Sequence, residues 1–128
     1  MLTDPKLKTG TLAMEIVIAL AGAALFVAPW ALGFAAAGAA AWNGWIIGAA
    51  ILLIALGGIM RFMKWEPWAH AALGLWAVIA PFALGFSGLA AALAVHVVAG
   101  LLTLALAGVE LWRTGALGTG DDGGRRAA

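Results

Sequence analysis

The sequence predicts an all-α membrane protein, with four transmembrane helices arranged as two parallel-repeat helical hairpins. Three observations predict it. The 128 residues are 65% hydrophobic and only 10% charged, with a mean hydropathy of +1.06. A soluble chain of this size must still present a largely solvated exterior, and a bilayer lifts that demand. Four apolar runs approach the roughly 20 residues that a bilayer crossing needs. Finally, the stretch Ala28-Pro29-Trp30-Ala31-Leu32-Gly33-Phe34 returns as Ala80-Pro81-Phe82-Ala83-Leu84-Gly85-Phe86. The offset is 52 residues, and six of the seven positions are identical.

Residues 1–12 read as a polar cytoplasmic tail carrying Lys6 and Lys8, with an interfacial turn after Asp4-Pro5. Lysines ahead of an apolar run also fit a secretory leader cleaved near residues 35–37. That run is long for a leader core, and it is the first half of a repeat whose partner is internal. The first repeat covers residues 13–61, with span 1 from Ala13 to Ala31 and span 2 from Ala39 to Met60. A cytoplasmic loop occupies residues 62–67. The second repeat covers 68–113, with span 3 from Trp68 to Leu84 and span 4 from Leu89 to Trp112. The connections inside each pair are short and uncharged, so each pair is an antiparallel hairpin. The tail over 114–128 is rich in glycine and charge, with too little apolar content to pack, and is expected to be disordered.

All seven basic residues fall before span 1, between spans 2 and 3, or after span 4. The positive-inside rule then puts both termini and the middle loop in the cytoplasm and the two motif turns outside. Trp65, Trp68 and Trp112 fall at one membrane face and Trp30, Trp42 and Trp45 at the other, as interfacial aromatic belts do. Trp76 lies mid-span, where its indole N–H needs a partner inside the bundle or on a ligand.

The identity at a 52-residue offset extends beyond the motif, through Gly22/Gly74, Gly48/Gly100, Leu52/Leu104 and Arg61/Arg113. Both copies therefore share one membrane orientation, about a pseudo-two-fold axis along the membrane normal. Over residues 14–113 the chain resembles the SPW-repeat family of small bacterial integral membrane proteins. The matching residues are Ala28-Pro29-Trp30 with Gly33-Phe34, Ala80-Pro81-Phe82 with Gly85-Phe86, and Trp42-Asn43 with Gly48. Alanine stands in place of the motif serine in both copies, and Phe82 and Val95 depart from the first copy's Trp30 and Asn43. The resemblance implies a four-helix protein of the bacterial inner membrane and no established activity.

The motif has a mechanical reading. Pro29 and Pro81 leave the carbonyls of Leu25 and Ala77 without their helical donors, so each helix should kink or end there. Trp30 offers Leu25 one replacement donor, which Phe82 cannot offer Ala77. Gly33 and Gly85 can adopt positive φ and stop the helix. Phe34 and Phe86 would then anchor the turn at the interface. A binding role for the motif is the alternative.

Among residues that can carry chemistry, His96 stands out inside span 4, with Ala92 one turn before it on the same face. It reads as a neutral histidine bonded between helices, as an axial ligand to a tetrapyrrole (bacteriochlorophyll or haem) with Trp76 or Trp45 near the ring, or as a polar relay. His70 is expected at headgroup level, roughly 12 Å from His96 in depth. Glu15 is expected to pair with Lys64, and Glu110 with Arg113 or Arg61, a proton or cation site being the alternative. Gly44 and Gly48 on span 2, and Gly100 and Gly108 on span 4, offer close helix approach, within the bundle or to a partner chain.

With no cysteine, disulfides and thiolate sites are excluded. No carboxylate lies at mid-depth in the bilayer, which argues against a proton-coupled carrier. No carboxylate dyad, metal-ligand cluster, Ser-His-Asp set or phosphate-cradling loop is visible, so no catalytic residues, enzyme activity or metal site are assigned. A net charge of +1 gives no field for nucleic acid. The sequence is therefore read as a non-catalytic structural or accessory subunit. Its expected partners are the lipid bilayer and other membrane helices or its own copies. A tetrapyrrole protein is the alternative, and a small transporter or channel a third class.

Overall fold

A computed structural model describes residues 5–61 and 63–113, apart from the side chains of residues 5–9 and 11. The expected disordered tail, residues 1–4, and the side chains of Lys6, Lys8, Arg125 and Arg126 lie outside the described residues. Four helices follow one another: α1 Pro5–Ala31, α2 Ala39–Met60, α3 Glu66–Ala83 and α4 Ala90–Arg113. No strand occurs among the described residues.

The helix α1 begins well before the expected span 1. Pro5 fits at a first helical position, where its missing N–H costs nothing, and so the polar stretch that follows is helical rather than a loose tail. Pro67 plays the same part at the start of α3. The bounds of α2 coincide with span 2.

The helices pack as two close pairs, α1 with α2 and α3 with α4; α1 also packs on α4, and the junction of α2 with α3 is sparser. Glycines set the closeness. A Cβ on Gly48 would lie 2.5 Å from the Phe26 nitrogen and 2.7 Å from the Gly22 carbonyl. One on Gly100 would lie 2.7 Å from the Gly74 carbonyl. These contacts are with backbone, which the small residue alone permits. Gly44 lies against the Leu25 carbonyl and the Pro29 ring, whereas Gly108 faces open space.

The interior is lined by small and polar side chains, and the exterior by large apolar ones. Leu20, Leu53, Met60, Val98 and Trp112 are exposed, while Glu15, Glu66, His70, His96, Thr103 and Glu110 are buried. A soluble fold would invert this. Three helical stretches are long and apolar enough to cross a bilayer: Leu12–Ala31, Ala39–Met60 and Ala90–Arg113. The protein is an integral membrane protein.

Candidate functional site

At one end of the bundle the two motif turns meet. Pro29 and Pro81 sit inside their helices, each two residues before the end. The expected break at proline is therefore delayed by half a turn, because the following amides find acceptors: Leu32 donates to Ala28 at 2.7 Å and Leu84 to Ala80 at 2.8 Å. The Leu25 carbonyl faces Gly44 across the helix pair at a Cβ-site distance of 3.2 Å. The Trp30 ring packs edge-to-face with Phe26 and tilted against Trp45, with centroids 5.6 and 5.2 Å away. Gly33 and Gly85 have φ of 82° and 79° and end their helices as expected. After Gly85 the Phe86 amide donates back to Pro81 at 2.8 Å, a Schellman closure.

That closure corrects the expectation for Phe34 and Phe86. Both rings turn inward and are buried, where interfacial anchors would be exposed. A left-handed glycine reverses the chain, so the next side chain falls back under the helix end and over the bundle interior. They form one cluster with Ala28, Ala80, Ala40 and Ala92. Each of these six residues has its counterpart 52 positions away in the same cluster. His96 packs against this layer, 4.9 Å from the Phe86 ring and 6.4 Å from that of Phe34. It is fully buried. Its Nδ1–H donates to the Ala92 carbonyl at 2.8 Å, and its Nε2 has no hydrogen-bond partner.

Deeper in the bundle, the Trp76 indole donates to Asn43 Oδ1 at 2.9 Å, tying α3 to α2. This supplies the partner that a mid-span indole needs. The residues 52 positions away are Ala24 and Val95, which cannot repeat the bond. Both line an apolar cavity of about 590 Å³ between α1 and α4, together with Ala21, Ala91, Ala94 and Ala99.

His70, expected at headgroup level, points into the bundle. It is fully buried, and its Nε2–H donates to the Ile51 carbonyl at 3.3 Å. One helical turn before it, Glu66 shares its face of α3. Glu66 and Glu15 meet in a buried carboxyl layer, and Glu110, also buried, lies near enough to act on them electrostatically. The expected pair of Glu15 with Lys64 is not formed: Lys64 is exposed, and Glu15 turns inward to Glu66. The reason is Gly58, whose missing side chain leaves the space that Glu15 Oε2 and Glu66 Oε1 occupy. Glu110 does lie beside Arg113, as expected.

A family model described as the SPW repeat domain matches residues 12–110. The chain belongs to the SPW repeat family. No curated protein and no solved structure gives a significant match. In this SPW protein the two motif copies build a single buried layer.

The geometry also bears on a tetrapyrrole. A macrocycle needs an open face at its axial histidine. His96 is enclosed by the SPW layer, and it is not among the residues lining the 590 Å³ cavity. The unpartnered Nε2 is the one feature in favour, and the enclosed ring does not fit the group. Sequence reasoning passed over Glu66, which reads as loop, and Thr103, whose buried hydroxyl has no partner. The pairing of Trp76 with Asn43 had a signal, because both positions break the repeat.

Proposed function

We propose that this SPW protein is a non-catalytic structural or accessory subunit, packing within the membrane against other helices. The observation that carries the reading is the direction of its side chains. The described polar groups within the helices turn inward, and the outer faces are large and apolar. With so little enclosed by four short helices, the outer faces are the larger resource for contact.

In this reading α3 is the fourth span. Its 18 residues reach about 27 Å, close to the hydrocarbon thickness of roughly 30 Å. The hairpin repeat is supported by the equivalent glycine contacts of Gly22/Gly48 and Gly74/Gly100. The exposed positions of Arg61 and Lys64 support a cytoplasmic middle loop in a bacterial inner membrane. Gentle extraction and native mass measurement test the proposal. Self-assembly or a co-purifying membrane chain is the expected result, and a lone monomer would sink it. An absorption band lost in His96→Ala would revive the tetrapyrrole reading.

A further inference from the structure

The carboxyl layer is not explained by packing against lipid or a partner. Glu15 from α1, Glu66 from α3 and Glu110 from α4 are all buried, the most exposed at 2%. Both oxygens of Glu15 and both of Glu110 lack a hydrogen-bond partner among the described residues. Glu66 accepts one bond, from the Met63 amide at 3.4 Å.

The charges facing this layer can be named helix by helix. Among the described side chains of α1 it is Glu15. Opposite Glu15 and Glu66, α2 presents Gly58, which has no side chain, and Arg61 beyond it is exposed. From α3 come Glu66 and, one turn deeper, His70. From α4 come Glu110 and Arg113, whose guanidinium packs against Gly10. Among the described side chains, the guanidinium of Arg113 does not by itself balance three buried carboxylates.

Glu15 and Glu66 approach within hydrogen-bonding reach of each other over Gly58. An ionised carboxylate only accepts, so two of them at this range repel. A proton on either turns it into a donor and converts the repulsion into a bond. The missing donor in the arrangement is thus a proton. Metal is the less apt ligand, since among the described residues no three His, Asp or Glu side chains converge as a metal site requires.

We propose that Glu15, Glu66 and Glu110 form a buried proton-binding site, filled from the bundle end that carries Arg61 and Lys64. A proton held between Glu15 and Glu66 supplies the hydrogen bond that their facing oxygens lack, and a proton on Glu110 removes a charge that repels them. This goes beyond the accessory role, which needs no titratable interior.

Infrared spectroscopy of the full chain in liposomes at neutral pH tests it, read in the carbonyl band of un-ionised carboxyl groups. The wild-type protein should show this band in sodium-free buffer and keep it when sodium is added. Glu15→Gln, Glu66→Gln and Glu110→Gln should each remove or shift part of the band, and the triple variant should lose it. Gly58→Ala keeps all three acids and pushes Glu15 and Glu66 apart, so it should shift the band. Absence of the band in the wild type overturns the proposal, with no variant needed. A band unchanged in the triple variant also overturns it, and loss of the band on adding sodium would assign the site to an alkali cation instead.

Discussion

Replacing Gly48 with alanine gives the sharpest test of how the helix pairs are held. The new Cβ would lie 2.5 Å from the Phe26 nitrogen and 2.7 Å from the Gly22 carbonyl, where ordinary contact begins at 3.4 Å. Both neighbours are backbone, so no side chain can swing away. The α1–α2 pair must open by about 0.9 Å, and a gap of that size forfeits roughly a quarter to a half of the dispersion energy at the seam. Overpacking of this kind typically costs about 1–3 kcal/mol, and we expect the upper half of that range. Gly57→Ala is the control, since nothing lies within 4 Å of its Cβ position. It should change stability by no more than about 0.5 kcal/mol. Denaturant titration in mixed micelles, followed by circular dichroism, measures both. Equal stabilities for the two variants would refute a seam set by backbone contact. Gly22→Ala combined with Gly48→Ala should cost less than the sum, because both open the same seam.

Further outcomes follow from the interior. Trp76→Phe removes the donor to Asn43 and should cost about 1–3 kcal/mol, while adding Asn43→Val should recover part of it; a double-mutant cycle of unfolding energies reads the coupling. Gly85→Ala meets open space, so its cost is backbone strain alone, about 1–2 kcal/mol, and Gly85→Asn should cost less in the same titration. His96→Ala opens a hole against Phe86 and Phe34 and should lower stability by about 2–4 kcal/mol, measured by unfolding, with no change in visible absorption.

Much of the fold was legible in the sequence because hydropathy and the repeat act over whole helices. The bounds of α2 followed from the sequence, since Gly38 and Arg61 flank a run that is apolar but for Asn43. The start of α1 did not, because polarity marks where a helix leaves lipid rather than where it stops being a helix. The site was harder to read. The burial of His70 and its bond to the Ile51 carbonyl depend on another helix, which position along a span does not reveal. Glu66 was hidden by its place beside a loop, and its burial depends on Gly58, a residue of another helix. Phe34 and Phe86 were assigned to the interface from residue type, when the sign of φ at the preceding glycine decides which way they turn. The bond between Trp76 and Asn43 joins residues 33 apart in sequence, and only their joint departure from the repeat pointed to it.

The connections between paired helices, residues 32–38 and 84–89, carry no charged side chain. This matters for how the chain enters its membrane. In the proposed four-span topology these loops cross the bilayer, and neither incurs the about 2.5–3.5 kcal/mol that a charged residue costs at its middle on insertion scales. The Gly22–Gly48 and Gly74–Gly100 contacts each lie within one such pair. In that proposed topology each pair can cross as a unit already zipped along its glycines, leaving the sparse α2–α3 junction and the α1–α4 contact to assemble inside the bilayer.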